Sequence, residues 1–214
     1  PVGRGGAVLL THDSVQAAED AAATPDEIVA PYGPITADAL WARVRYFYEA
    51  IIPVAEEASV SVGAHPDDPP EPRYRGVEQL LNTVAGLQRL LDLVPSSRSG
   101  LLLCIGTLHE MGDNTMAAIE HFVRQGKVLC AHLRNPRGSV QLGYYQEDLL
   151  DEGDLDMLEV MRLFHRYDYR GSFDPDHAVG IIGDERKGRL GFAWQLGYIK
   201  ALRTAVEADC AHEL

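Results

Sequence analysis

The chain has 214 residues, of which 46% are hydrophobic, so it is long enough and apolar enough to bury a substantial core. Its 19 basic and 32 acidic residues give a formal charge of −13 with no Lys/Arg-rich run, which argues against a nucleic-acid partner. No apolar run approaches the roughly 18 residues that span a bilayer, and no signal-peptide layout is present at the N-terminus. Three cysteines are scattered through apolar segments, so we expect free thiols and a cytoplasmic location. Because no apolar run is long enough to span a bilayer, we also expect no membrane partner.

The N-terminal part of the chain predicts a strand, a loop and a helix in that order. Residues 8–13 contain a short apolar run that ends in polar residues, which is the pattern of a buried strand at its exit. Residues 20–34 are rich in Ala, Pro, Asp and Gly and indicate a loop. Thr36 is the type of residue that caps a helix, and apolar residues at helical spacing follow as far as Ile51. Pro53 is expected to end or kink this helix.

Four further strands are predicted, over residues 59–64, 100–105, 127–133 and 169–173. Helices with one apolar side follow them, over residues 77–91, around 116–126, 155–166 and 189–208. A long polar loop separates the third of these strands from its helix. Alternating strands and amphipathic helices predict parallel pairing, and continuous apolar strands predict a sheet covered on both faces. The chain therefore reads as one α/β domain, residues 1–214, with five βα units.

Polar residues with metal-binding side chains follow the ends of the predicted strands. They are His65, Cys104, His132 and the pair Asp176 and His177. In parallel α/β folds, and above all in βα barrels, ligands and catalytic groups gather at the carboxyl edge of the sheet, where the strand ends converge. Two imidazoles, a thiolate and a carboxylate suit a divalent transition metal such as Mn, Fe, Co or Zn.

Several of these side chains also have a purely structural interpretation. A lone His after a strand is more often a loop residue, and a Cys in an apolar run, such as Cys104, is more often a small buried hydrophobe. Cys130 shares a strand face with His132 but lies one layer deeper, about 6–7 Å along the strand, and is assigned to the core. Asp67 and Asp68 lie between prolines and are either ligands or acid/base groups, or turn carboxylates that cap loop amides.

Four other polar residues are candidates for binding a substrate. Arg134 lies just beyond a predicted ligand, where a guanidinium can clamp a substrate carboxylate bidentately or form a salt bridge in solvent. Asn135 is its neighbour, and Asn114 lies in the segment that follows the strand ending at Cys104. His12 lies at the exit of the first predicted strand and has the weakest case of the four.

Five segments of the chain carry a family resemblance. They are His65-Pro-Asp-Asp-Pro-Pro, the strand ending in Cys104, Ala131-His132-Leu-Arg-Asn135, Glu152-Gly-Asp154-Leu-Asp156-Met157 and Pro175-Asp176-His177. Together, and in this order, they resemble the mannonate dehydratase family. The resemblance spans about residues 59–210, and five ordered motifs are more specific than any one of them.

The resemblance implies a xylose-isomerase-like (β/α)8 TIM barrel, of which this chain supplies about five βα units and lacks the N-terminal strands. It implies dehydration of D-mannonate to 2-keto-3-deoxy-D-gluconate, with Mn²⁺ or else Fe²⁺, Co²⁺, Mg²⁺ or Zn²⁺ as the cofactor. The implied metal ligands are His65, Cys104, His132 and Asp176, with His177 and Asp176 in the catalytic set. It also implies a sugar acid as the small-molecule partner, and self-association as a dimer or higher oligomer.

Two positions depart from the family pattern. Ala178 follows the Asp-His pair where the family has Gly, and Phe192 matches the position of a catalytic Tyr. Phenylalanine has no proton to donate, so either another phenol such as Tyr198 substitutes or the reaction differs. The alternatives are a sugar isomerase or epimerase on the same scaffold, and a non-catalytic member that binds a sugar acid.

Overall fold

The computed structural model of the chain describes residues 1–23, 35–75, 77–184 and 188–211. The α-helices are α1 (Ser14–Ala23), α2 (Ala37–Glu57), α3 (Val84–Leu93), α4 (Ile105–Glu110), α5 (Thr115–Arg124), α6 (Met157–Arg166) and α7 (Arg189–Ala211). The strands are β1 (Thr11–Asp13), β2 (Val62–Ala64), β3 (Arg73–Tyr74), β4 (Val77–Glu78), β5 (Ser99–Cys104), β6 (Val128–Leu133), β7 (Asn135–Ser139), β8 (Tyr144–Asp148) and β9 (Ser172–Pro175). Of the loop predicted at 20–34, residues 24–34 lie outside the described ranges, and residues 20–23 belong to α1.

A four-stranded parallel sheet, ordered β2-β5-β6-β9, carries most of the polar strand ends. Its register pairs Cys104 at the end of β5 with His132 on β6, and His132 with Asp174 on β9. Because neighbouring strands run in the same direction, their carboxyl ends lie at one edge. The predicted parallel pairing of these four strands is confirmed.

The core lies between one face of this sheet and the apolar sides of α3, α5 and α6. Leu103, Ile119, Phe122 and Phe164 are fully buried there. Each of these helices is capped by a side-chain oxygen that accepts a hydrogen bond from a free backbone amide of the first turn. The capping oxygens belong to Thr83, Asn114 and Asp156 respectively. Caps and apolar stripes agree, so the sequence specifies these helices locally.

The opposite face of the sheet is less covered. Leu102 and Cys130 are half-buried, and Asp174 is exposed. The sequence predicted cover on both faces, but on this face the described residues bury Cys104 and leave Leu102 and Cys130 partly exposed. Cys130 is therefore not a core residue, contrary to its assignment from the sequence, and its thiol donates a hydrogen bond to Asp174 Oδ2 at 2.9 Å.

An antiparallel sheet, ordered β1-β8-β7, adds a second structural unit. The β7–β8 hairpin forms from residues that were predicted as a polar loop. The strands were missed because Pro136 and Gly138 interrupt the usual strand pattern in β7. β1 pairs with β8, and Val8 and Leu10 are 63% and 53% exposed. Residues 8–13 are therefore not a buried strand of a βα unit, and the parallel sheet has four strands where five were predicted.

Two predicted helix boundaries also need correction, and one helix was not predicted. Pro53 was expected to end or kink α2, and the helix does not end there but continues to Glu57. The helix predicted over residues 77–91 begins only at Val84, after its cap, because residues 77–78 form β4 and pair with β3. The short helix α4 follows Cys104 directly and was not predicted. Across the described ranges, none of the helices combines the length and the apolar character needed to cross a membrane.

Candidate active site and metal centre

Four side chains from successive strands converge at the carboxyl edge of the parallel sheet. One ligand atom from each of His65, Cys104, His132 and Asp176 lies within 4.8 Å of the other three. His65 and Asp176 each follow an outer strand, β2 or β9, while Cys104 and His132 are register partners on the two inner strands. The structure thus brings together the four residues that were predicted as metal ligands.

Both imidazoles of this set have a nitrogen that can bind a cation. His65 Nδ1 lies 2.6 Å from the carbonyl oxygen of Pro66, which only accepts, so Nδ1 carries a hydrogen. The other nitrogen, Nε2, donates to the Cys104 thiolate in the metal-free site and would offer its lone pair to a cation once that hydrogen is lost. His132 Nδ1 is buried and has no hydrogen-bond partner. Asp176 Oδ2 lies 3.2 Å from it, but the two groups are not oriented for a hydrogen bond. A buried orphan nitrogen beside a sulfur and a carboxylate fits a metal ion held between them.

The sulfur of Cys104 is completely buried, yet the site favours its charged form. Burial raises the pKa of the thiol, but the charge of Arg134 and hydrogen bonds from His132, His65 and Thr107 outweigh it and lower the pKa to about 5. Cys104 is therefore a thiolate at neutral pH. Thiolate is the form that binds metals.

Arg134 lies beneath the four-residue set, with its side chain 1% exposed. Its Nε and Nη2 donate to Cys104 Sγ at 3.2 and 3.1 Å. Nη2 also donates to Asp68 Oδ2 at 2.7 Å and to Thr107 Oγ1 at 2.5 Å, and Nη1 donates to Glu147 Oε1 at 2.6 Å. The prediction that Arg134 clamps a substrate carboxylate does not fit these contacts, since the protein's own groups occupy its donors.

The region around this guanidinium carries more acidic groups than cations. Its neighbours are Asp68, Glu147, Cys104 and the fully buried Glu110. Burial raises the pKa of Glu110 well above its ordinary value, the charge of Arg134 opposes this shift, and Asp68 adds to it. One Glu110 oxygen has no hydrogen-bond partner. An excess of acidic groups around one arginine suits the binding of a divalent cation.

His177 lies beside the set and is held by a hydrogen bond from outside the parallel sheet. Its Nδ1 is 2.7 Å from Glu147 Oε1, and its Nε2 is 3.8 Å from Asp176 Oδ2. The hydrogen bond to Glu147 raises the pKa of His177, and burial opposes that shift. The side chain is 39% exposed, so a substrate can reach it.

Asn135 and Asn114 have structural contacts in place of the predicted substrate contacts. Asn135 is 1% exposed, and its amide donates to the carbonyl oxygens of Leu150 and Leu155 at 2.7 and 2.9 Å. Asn114 caps α5 by accepting from the backbone amide of Ala117 at 3.1 Å. Both side chains use their polar atoms to hold backbone, so the substrate-binding prediction does not fit either of them.

His12 lies away from the predicted strand exit, because β1 belongs to the antiparallel sheet. Its Nε2 is 2.8 Å from Glu71 Oε1, and its ring stacks on Tyr145 with the centroids 5.0 Å apart. Among the described residues, none of its hydrogen bonds or ring contacts reaches the four-residue set. The prediction that His12 binds substrate has no support in these contacts.

The two aspartates after His65 have separate roles. Asp67 Oδ2 accepts from the backbone amides of Leu80 and Leu81 at 2.8 and 2.6 Å, which matches the loop-capping interpretation. Asp68 pairs with Arg134 as described. A second group, Cys130, His132 and Asp174, also has ligand atoms within 4.8 Å of one another, and it shares His132 with the first set.

Glu110, Glu147 and Thr107 are the site residues that the sequence interpretation missed. Glu110 and Thr107 lie on α4, which follows Cys104 without any loop signal. Glu147 lies in a hairpin that reads as polar loop. The apolar residues Leu108 and Met111 near Glu110 are both buried, but His109 and Gly112 interrupt any apolar run, so the sequence has no clear signal that this carboxyl is buried.

Comparison with known proteins now identifies the family. The family model described as D-mannonate dehydratase (UxuA) matches residues 16–212. The chain belongs to the D-mannonate dehydratase family. A mannonate dehydratase of Streptococcus suis (strain 05ZYH33) is 33% identical over 154 residues, which are 72% of this chain and 42% of that protein. Mannonate dehydratase 2 of Halalkalibacterium halodurans is 33% identical over 167 residues, which are 77% of this chain and 48% of that protein.

The chain therefore spans less than half the length of these D-mannonate dehydratase relatives. The crystal structure of mannonate dehydratase from Streptococcus suis serotype 2 matches 98% of this chain and 62% of that chain, with a TM-score of 0.83 and 27% identity. An L-ribulose 3-epimerase structure, at 14% identity, matches 83% of this chain and 58% of that chain with a TM-score of 0.59, which reflects the fold alone. The fold is a xylose-isomerase-like TIM barrel, to which the described residues contribute four parallel strands.

Proposed function

We propose that the complete protein carries out the metal-dependent dehydration of a sugar acid, D-mannonate, to 2-keto-3-deoxy-D-gluconate. The observation that carries this proposal is the convergence of His65, Cys104, His132 and Asp176 within 4.8 Å at the edge where barrel enzymes place their chemistry. Membership of the D-mannonate dehydratase family supports the choice of reaction and substrate.

The same four side chains are the proposed metal ligands. A thiolate and two imidazoles favour a transition metal, and we propose Mn²⁺, with Fe²⁺, Co²⁺, Zn²⁺ and Mg²⁺ as alternatives. When bound, such an ion supplies Lewis acidity that stabilises negative charge on substrate oxygens. Arg134 supports the set by keeping Cys104 ionised and by neutralising part of the surrounding acidic charge.

Dehydration of a sugar acid requires one proton to leave the carbon next to the carboxylate and another to reach the departing hydroxyl. His177 is the proposed proton carrier, because it is accessible and its imidazole exchanges protons near neutral pH. Asp176, beside it, is proposed both as a ligand and as part of the catalytic set. Tyr198, the alternative to the phenol absent at Phe192, stacks on Trp194 with the ring centroids 5.5 Å apart, and the carboxylates near it are Asp151 and Asp156.

Metal analysis of three variants of the complete protein tests the site. Cys104→Ala and His132→Ala are expected to lose bound metal, whereas Cys130→Ala is the matched control and should keep it. If Cys104→Ala keeps full occupancy while Cys130→Ala loses it, the metal belongs to the group of Cys130, His132 and Asp174. Formation of 2-keto-3-deoxy-D-gluconate from D-mannonate by the unmodified protein tests the reaction.

A second candidate reaction follows from Phe192, which the resemblance to the family matches to a catalytic Tyr. A sugar isomerase or epimerase needs proton exchange at carbon but no expelled hydroxyl. Solvent hydrogen would then enter the substrate without accumulation of a keto-deoxy acid. Metal-free protein that binds the sugar acid without turnover would instead indicate a non-catalytic member.

We also propose a cytoplasmic location, for which the free thiols of Cys104 and Cys130 are the support. Self-association as a dimer or higher oligomer, and the assignment of residues 1–214 to one domain, stay predictions. Light scattering of the complete protein measures the first, and limited proteolysis measures the second.

A further inference from the structure

Glu147 connects the proposed proton carrier to the buried arginine through a single oxygen. Its side chain is 8% exposed, and Oε1 lies 2.7 Å from His177 Nδ1 and 2.6 Å from Arg134 Nη1. The other oxygen, Oε2, is buried and has no hydrogen-bond partner. Within the described residues, the side-chain hydrogen bonds of Glu147 therefore go only to these two groups, and both use Oε1.

The chemistry of these three groups decides which nitrogen of His177 carries the hydrogen. Arg134 can only donate, and an ionised carboxylate can only accept. Arg134 Nη1 and His177 Nδ1 lie 3.0 Å apart because both donate to the same oxygen, so this short distance is not a hydrogen bond between them. His177 therefore carries hydrogen on Nδ1. Its Nε2, the nitrogen nearer Asp176, is then free to exchange a proton with a substrate.

The backbone also holds the two residues relative to each other. The amide of Glu147 donates to the carbonyl oxygen of Leu10 at 2.8 Å, and the amide of Val8 donates to Gly180 at 2.8 Å. The N-terminal segment thus joins β8 to the segment that follows His177. His177 itself has a φ of 43°, in the left-handed region that non-glycine residues adopt uncommonly, with His among those that adopt it more often.

We propose that Glu147 is a positioning residue that fixes the tautomer and orientation of His177, so that Nε2 faces the substrate. This proposal rests on the proposed function of His177 as proton carrier. Carboxylates that orient a catalytic imidazole through Nδ1 play this role in unrelated hydrolases, where the wrong tautomer is inactive.

The tautomer can be measured without any assay of activity. Nitrogen NMR of the complete protein with isotope-labelled histidine, at about pH 8.5 where ordinary imidazoles are neutral, distinguishes hydrogen on Nδ1 from hydrogen on Nε2. His177→Gln identifies the His177 signal among the 8 histidines of the chain. Hydrogen on Nδ1 is the expected result. Hydrogen on Nε2 alone overturns the proposal, and this result does not require Glu147→Gln to fold.

Glu147→Gln then tests whether the carboxylate is the cause. The carboxamide lacks the negative charge that favours hydrogen on Nδ1, and its NH2 group can donate to Nδ1 where the carboxylate could only accept. The population with hydrogen on Nδ1 should therefore fall, and kcat should fall roughly 10²–10⁴-fold with KM within about twofold. Asp148→Asn is the matched control, because Asp148 is the adjacent buried carboxylate of β8 and pairs with Arg137 at 3.0 Å. The control should retain both the tautomer and kcat. An unchanged His177 signal and unchanged kcat in Glu147→Gln contradict the role of Glu147.

The two proposals fail in different ways. If the unmodified protein does not dehydrate D-mannonate but His177 carries hydrogen on Nδ1, the proposed function is wrong and the positioning by Glu147 stands. If the protein is active and Glu147→Gln changes stability alone, Glu147 is a structural residue and the proposed function stands.

Discussion

The guanidinium of Arg134 lies against the sulfur of Cys104, with Nε at 3.2 Å and Nη2 at 3.1 Å from Sγ. The same guanidinium reaches Glu147 at 2.6 Å, and Glu147 reaches His177 at 2.7 Å. One buried cation therefore connects the proposed metal ligands to the proposed proton carrier. Because the contacts to Cys104 and Glu147 use the same guanidinium, a change at Arg134 should affect both the proposed metal ligands and the proposed proton carrier.

Replacing Arg134 should destabilise the fold strongly. Arg134→Met leaves Asp68, Glu147 and the Cys104 thiolate without their shared cation, and removal of one partner of a buried ion pair costs about 3–5 kcal/mol. Urea unfolding of the metal-free protein measures the loss. Arg137→Met is the control, since that side chain is 47% exposed and its pair with Asp148 should contribute no more than about 1 kcal/mol. Equal effects of the two substitutions would contradict the central position of Arg134.

Cys104 should titrate at unusually low pH in the metal-free protein. The ultraviolet absorbance of its thiolate is expected to appear with a midpoint of about 5 and to be absent in Cys104→Ser. Because the folded pKa lies below the unfolded one, the ionised thiol stabilises the fold fully above the unfolded pKa. This stabilisation is lost as the pH falls through about 5.

The matched control for this titration is Cys130, whose pKa is raised by burial and by its hydrogen bond to Asp174. Cys130→Ser should leave the low-pH titration unchanged. A low-pH signal that disappears in Cys130→Ser and persists in Cys104→Ser would reverse the assignment of the thiolate.

Glu110 should make the fold less stable as the pH rises. Its folded pKa is raised above the ordinary 4.5, so the folded state holds a proton that the unfolded state has released, and stability falls as the pH rises through this window. Glu110→Gln removes the titrating group while it keeps the shape. The stability of Glu110→Gln relative to the unmodified chain, measured by urea unfolding with a chelator present, should therefore increase from about pH 4.5 upward. A difference that is independent of pH would show that Glu110 is not protonated in the fold.

The metal set was predictable because its members end strands that the sequence marks clearly. Leu101 to Leu103 form an apolar run directly before Cys104, and parallel strands place such ends at one edge whatever their separation in sequence. The helices were predictable where an apolar stripe and a cap agree, as they do after Asp156. In these segments local sequence and tertiary contacts favour the same structure.

The contacts of Arg134 were not predictable in this way, because its partner Asp68 is 66 residues away and nothing local shows that a charged side chain is buried. Glu147 was missed for a related reason. Its hairpin has polar residues, a proline and glycines in place of an alternating apolar pattern, so only the fold reveals that β8 packs against the site. Buried charge networks depend on distant partners, and that is where sequence patterns give the least information.

Replacing Asn135 distinguishes a structural role of this side chain from a substrate-binding role. Its side chain accepts from the amide of Leu155 at 2.9 Å and donates to Leu150 and Leu155, so it holds the segment after β8 against β7. Asn135→Ala leaves these buried backbone groups unpaired and should cost about 1–3 kcal/mol of unfolding free energy, while KM for the sugar acid stays within about twofold. Asn114→Ala, which removes only an exposed helix cap, should cost about 1 kcal/mol. A large rise in KM with unchanged stability in Asn135→Ala would return Asn135 to the substrate-binding role predicted from the sequence.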